Sequence, residues 1–350
     1  MSSKSENIEL KEGKWHLKDI KSHLTDYSIS VIVAKDIPYI DNPNRFQNLT
    51  IYLPKTSETI KLLGTHVKEF TFSKEDIQPV LPNYLVHIHG GAWRDPLLDA
   101  DSIEATVAHA FDTSNDLIPI LGIVSINYSL SQFQTHPHFP YDAIKDNHSD
   151  ISREAIHPQH ISDVLHGLNK LRSFGINDHS YILSGHSCGA CIAFQTILQP
   201  PSYYGLTHLS DPPSPAAILG LNGLYDLPEL VYGLGTSHEH LSNDYKGILT
   251  NAYGSDENTW ATVSPSRFDI KSIRERFLEK KGPALIMVDR STEDQLVPTT
   301  QQEILKANLS NISEIQTIEG KICKGDHALP WKQGLPIWQN VRDILHVLKK

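Results

Sequence analysis

Along the chain, short runs, most of them nearly all apolar, alternate with segments whose apolar residues recur every three or four positions. The runs fall at 49–53, 84–89, 120–128, 180–184, 217–222, 283–288 and 314–318. Continuous apolar stretches of this length suit strands covered on both faces, whereas a half-exposed strand would alternate with polar residues. Between the runs, Ile161, Val164, Leu165, Leu168 and Leu171 share one face of a helix. Ile337, Val341, Ile344, Leu345 and Leu348 do the same near the C-terminus. Strands alternating with amphipathic helices predict an α/β domain built on a mostly parallel central sheet flanked by helices. No repeat of 20–50 residues is visible, which excludes a solenoid or a propeller.

Four stretches interrupt the alternation. Residues 56–80 are charged and predict a loop or short insertion. Residues 200–215 carry Pro200, Pro201, Pro212, Pro213 and Pro215, which predict a surface loop. Residues 223–280 mix Tyr and Trp with polar turns between two strands and predict a cap-like insert, with a surface helix pair as the plain alternative. The polar first 30 residues are expected to be partly disordered, leaving 31–350 as a single domain.

Composition narrows the function. The chain has 350 residues, with 31 Lys+Arg against 41 Asp+Glu and a net charge of −10. Nucleic acid and anionic membranes both require a basic surface, so neither is an expected partner. No apolar run approaches the roughly 18 residues of a membrane span. The opening residues lack the apolar centre of a secretory signal, so a cytoplasmic protein is expected. Cys188, Cys191 and Cys323 are too few, and odd in number, for a disulfide framework.

The chemistry centres on Gly185-His186-Ser187-Cys188-Gly189, which follows a strand-like run and precedes an apolar helical one. A strand–turn–helix this tight needs small residues beside the serine, and it lifts the hydroxyl clear of the sheet. The helix N-terminus then aims N–H groups at a developing negative charge. The second signal is His89-Gly90-Gly91-Ala92-Trp93, also at the end of a strand run. Two adjacent glycines allow the backbone to approach an oxyanion without a side chain intervening. An acid and a histidine should follow in that order. Asp294 lies after the run 283–288 and just ahead of a helix opened by Pro298, with Asp289 and Glu293 as rival acids. His327 is the one histidine between His240 and His346. The pairs His87/His89, His136/His138 and His238/His240 suggest a metal hydrolase, but no third ligand stands at a recognisable spacing, so no metal is expected.

Together, these elements resemble the α/β-hydrolase superfamily. The His-Gly-Gly-x-Trp form resembles the serine-type kynurenine formamidases (arylformamidases), with further likeness at residues 46–54, Asn127-Tyr128 and 222–227. The likeness spans roughly residues 36–350 and implies the α/β-hydrolase fold. It implies Ser187 as nucleophile, His327 as general base and then acid, and Asp294 as the group orienting His327. The N–H groups of Gly90, Gly91 and Cys188 would form the oxyanion hole. The implied substrate is N-formyl-L-kynurenine, cleaved without a cofactor to L-kynurenine and formate in tryptophan catabolism and NAD biosynthesis. Trp93, Tyr128, Tyr225 and Phe139 are candidate pocket aromatics, each with core packing as the plain alternative. A general carboxylesterase of small acyl or aryl esters would share every one of these reacting groups. A non-catalytic binding protein on the same fold would not need all three of Ser187, Asp294 and His327. A homodimer is compatible with the pattern.

Overall fold

The structure is a computed structural model that describes residues 13–21, 28–72, 81–112, 120–280 and 282–349. Seven strands coincide with the apolar runs: β3 (Asn48–Pro54), β4 (Tyr84–Ile88), β5 (Gly122–Ile126), β6 (Tyr181–His186), β7 (Ala217–Leu221), β8 (Leu285–Asp289) and β9 (Gln316–Glu319). Two more precede them, β1 (His16–Lys21) and β2 (Ser28–Pro38). All nine join one sheet in the order β1-β2-β3-β5-β4-β6-β7-β8-β9. The strands from β5 to β9 run parallel, and β1, β2 and β3 add an antiparallel edge.

β1 and β2 start the sheet ahead of residue 31, where the sequence pattern places the start of the domain. β1 reads His-Leu-Lys-Asp-Ile-Lys, and only Ile20 is buried, as an edge strand allows. In β2, Val31 to Ala34 are fully buried, so this apolar run was the available signal. The remainder of the expected disorder, at residues 1–12 and 22–27, lies outside the described residues.

Every residue of β4, β5, β6, β7 and β8 is buried. Successive side chains point to opposite faces, and each face carries its own core. On one face, Val86, Ile88 and Leu183 pack with Leu165, Leu168, Ile192 and Phe194 from the helices Gln159–Lys170 and Cys188–Leu198. On the other, Leu85, Ile182 and Leu219 pack with Val107, Val341, Ile344 and Leu345 from Glu104–Ala110 and Leu335–Leu348. Burying a Leu or Ile side chain contributes roughly 1.5–3 kcal/mol.

Residues 56–72 hold two single 3-10 turns, and 73–80 lie outside the described residues. The proline-rich 200–215 begins with a 3-10 turn, Pro201–Tyr204, and buries four of its five prolines against the domain. Residues 223–280 carry five α-helices, the longest Ser242–Tyr253, followed by Ile270–Lys280. No helix among the described residues is long and apolar enough to cross a membrane.

The register positions the site. Ile88 pairs with Gly185, His186 with Leu221, and Leu221 with Asp289. The carboxyl ends of β4, β6, β7 and β8 are therefore level, and the loops after them meet at one edge of the sheet, where open α/β folds place their ligands.

Candidate active site

Ser187 follows β6 at φ 56°, ψ −124°, and the helix Cys188–Leu198 starts at once. A non-glycine residue with positive φ is strained and persists only where its surroundings enforce it. Here the Ser187 N–H donates to Leu221 at 2.9 Å, and its carbonyl accepts from Ala190 at 3.1 Å. Gly185 and Gly189 permit the crossing. A Cβ on Gly185 would lie 2.4 Å from the Gly189 carbonyl oxygen, and one on Gly189 would lie 2.3 Å from that of Ile88. Cys188 opens the helix, where the first N–H groups have no intrahelical acceptor.

The turn after β4 is bent by positive φ at Gly91 (106°), Ala92 (51°) and Trp93 (60°). Behind it, the Tyr128 hydroxyl donates to the carbonyl of His89 at 3.1 Å, with that of Gly90 at 3.3 Å. His89 stacks on the Tyr128 ring, and its Nδ1–H donates to the Gly90 carbonyl at 2.8 Å. In a trans peptide the N–H and C=O point in opposite directions. With both carbonyls turned towards Tyr128, the N–H groups of Gly90 and Gly91 point away from it. The Cα of Gly90 also faces the serine, since a Cβ there would lie 3.2 Å from Ser187 Cβ.

His327 comes from the loop after β9, and its Nδ1 lies 2.7 Å from Asp294 Oδ2. The other carboxylate oxygen accepts the N–H groups of Leu296 at 2.8 Å and Val297 at 2.9 Å, which fixes the acid. A carboxylate accepting at Nδ1 leaves the lone pair on Nε2, the tautomer a general base requires. The His327 carbonyl accepts from His186 Nε2 at 2.8 Å and Asn222 Nδ2 at 3.2 Å, so the ring is held from its own backbone. Burial, reinforced by the neighbouring His327, holds His186 well below the usual imidazole range, so it serves as a neutral prop.

The rival acids have other partners. Asp289 accepts from the N–H groups of Ile322 and Cys323 and from Asn340 Nδ2, and Glu293 accepts from Gly325 at 2.7 Å. Both tie down the segment that leads into His327. Cys188 is fully buried, and burial pushes its thiol up to about 11.

Ser187, Gly91 and His327 line one cleft of about 700 Å³. Trp93, Tyr128 and Tyr225, the candidate substrate aromatics, do not line it and are packed in the core. The left-handed turn directs the Trp93 indole inward, edge-on to Tyr253. Tyr128 backs the glycine turn, and Tyr225 lies against Phe194 beneath β7. Phe139 is half exposed and likewise off the cleft wall. The wall is instead built from Arg94, Phe133, Asp244, Tyr245, Leu296 and Trp331, among others. Only Arg94 carried a sequence signal, standing directly after the glycine pentapeptide.

The paired histidines have local roles. His87 Nδ1 meets Ser184 Oγ at 2.9 Å, His136 Nδ1 accepts the N–H groups of His138 and Phe139, and His238 Nε2 donates to the Asp294 carbonyl at 3.0 Å.

No protein-family model matches the chain. Among solved structures, the chain superposes on a carbohydrate esterase from gut microbiota with a TM-score of 0.58 and 16% identity, covering 91% of this chain and 96% of that one. Esterase B of Lactobacillus rhamnosis gives 0.57 at 13% identity, over 96% and 86%. These likenesses show the α/β-hydrolase fold. Among curated proteins, the kynurenine formamidase avaC of Aspergillus versicolor is 29% identical over 226 residues, 62% of this chain and 72% of that protein. The kynurenine formamidase-like hydrolase fscH of Fusarium equiseti is 33% identical over 235 residues, 66% of this chain and 68% of its own length. On that likeness, carried by an α/β-hydrolase frame, the chain belongs to the kynurenine formamidase family of hydrolases.

Proposed function

We propose that the protein is a serine hydrolase that cleaves N-formyl-L-kynurenine to L-kynurenine and formate. The observation that carries the chemistry is the Asp294–His327 hydrogen bond of 2.7 Å, with His327 lining the same cleft as the strained Ser187 elbow. The named relatives supply the substrate class.

His327 Nε2 takes the Ser187 proton as Oγ attacks the formyl carbon. The tetrahedral oxyanion is received by the N–H groups of Gly90, Gly91 and Cys188, each such donor being worth about 3 kcal/mol of barrier. The C–N bond then breaks, and His327 returns the proton to the departing aryl amine, L-kynurenine. Water, deprotonated by the same imidazole, cleaves the formyl-serine ester to formate and restores Ser187. The reaction is a hydrolysis without net oxidation, so these side chains suffice. Its product would feed tryptophan breakdown towards nicotinamide cofactors.

The test is turnover of N-formyl-L-kynurenine by purified protein, followed by kynurenine absorbance, with Ser187→Ala as control. We expect turnover in the wild type and a loss of about 10⁴-fold or more in the variant, which should remain folded. Hydrolysis of p-nitrophenyl acetate without hydrolysis of the formamide would shift the assignment to a carboxylesterase. A Ser187→Ala variant at full rate would remove the serine mechanism.

A further inference from the structure

Arg94 sits one turn beyond the glycines, its backbone N–H donating to the Gly91 carbonyl at 3.0 Å. Its side chain lines the same cleft as Ser187 and His327. The guanidinium carbon lies 3.9 Å from the centre of the Phe133 ring, and Nε is sealed from solvent without a hydrogen-bond partner. Among the described residues, no carboxylate forms an ion pair with it. Of the two carboxylates that act on it through space, Asp95 is engaged by the Leu97 N–H at 2.9 Å and by His136 Nε2 at 3.4 Å. The other, Asp244, stands on the helix Ser242–Tyr253 and also lines the cleft.

A partly buried cation without an anion is costly, and proteins generally pair it. Because Arg94 lines the cleft, a ligand bound there can supply the partner. The planar guanidinium fork matches a carboxylate through two parallel N–H···O bonds, which a lysine cannot reproduce. We propose that Arg94 binds the α-carboxylate of an amino-acid substrate, with Asp244 receiving the α-ammonium. This rests on the formamidase reading: an N-formylated aryl amine carrying an amino-acid arm places both charges beyond the scissile bond. The cleft thus reads a zwitterion as well as an aryl formamide.

The experiment compares kcat/KM for N-formyl-L-kynurenine and for 2-formamidoacetophenone, the same aryl formamide with a methyl ketone in place of the amino-acid arm. Wild-type protein should prefer the former. In Arg94→Gln that preference should fall about 10–100-fold, chiefly through KM for the charged substrate. Arg94→Lys should recover part of it, and the exposed Asp244→Asn should lower it less. An unchanged ratio in Arg94→Gln, or an equal loss on both substrates, would overturn the assignment. So would equal wild-type rates on the two, which would leave the formamidase reading intact. Failure of the wild type on both aryl formamides would overturn that reading and the anchor with it.

Discussion

Gly90 is where a single methyl group tests the proposed oxyanion turn. An added Cβ would stand 2.8 Å from His186 Nδ1 and 3.2 Å from Ser187 Cβ. The His186 ring cannot yield, because its other nitrogen is committed to the His327 carbonyl. Gly90→Ala should therefore displace the turn, lowering Tm through the strain of overpacking and, on the proposed oxyanion role, lowering kcat by about 10²–10³. A variant with a normal kcat would show that Gly90 stands outside the reacting geometry. The adjacent Cys188 is a weak nucleophile near neutral pH, because burial pushes its thiol up to about 11 and leaves little thiolate. The placement of Ser187 on a strand–helix elbow and the meeting of Asp294 with His327 were legible in sequence, from glycines beside a serine and from loops after strands. Trp93, Tyr128 and Tyr225 were not, because the face a residue presents depends on left-handed backbone at Ala92 and Trp93 and on packing from elsewhere.

Among the elements, the segment between β9 and His327 is held by side chains from other parts of the chain. Asp289, at the end of β8, takes three hydrogen bonds there: from the Ile322 and Cys323 N–H groups and from Asn340. Asp289→Ala would leave the buried Cys323 N–H without an acceptor, and we expect a stability loss of about 3 kcal/mol by urea denaturation. Because the same segment delivers His327, kcat should fall as well; stability loss with kcat intact would separate the two roles. The inner strands were readable because burial on both faces requires unbroken apolar runs. β1 was not, since an edge strand needs only one buried residue in six, and Ile20 alone gives no period.

Across the whole molecule, buried histidines are expected to set the acid limit. Desolvation lowers His87 and His160 to about 3 and His157 to about 4, from an ordinary value of 6.5. Between those values the unfolded chain binds the protons that the folded chain refuses. The stability these groups contribute is therefore complete above 6.5 and is lost as pH falls towards 3. The unfolding free energy from urea titrations should drop steeply below pH 6, by up to about 1.4 kcal/mol per pH unit for each fully buried histidine. His160→Gln should flatten the curve, and an unchanged slope would assign the acid loss to other groups. The cleft wall was the least legible feature, because Arg94, Tyr245 and Trp331 are brought together from three distant segments by the fold alone. The helices of 223–280 also reach the acid: His238 donates to the Asp294 carbonyl, and Tyr245 to that of Leu296. Anyone engineering this scaffold for a new acyl amide would naturally randomise that region. A library that varied His238 or Tyr245 would recover variants with altered selectivity whose imidazole had lost its alignment, so those two side chains should stay fixed while Leu241, Asp244 and Ile248 are varied.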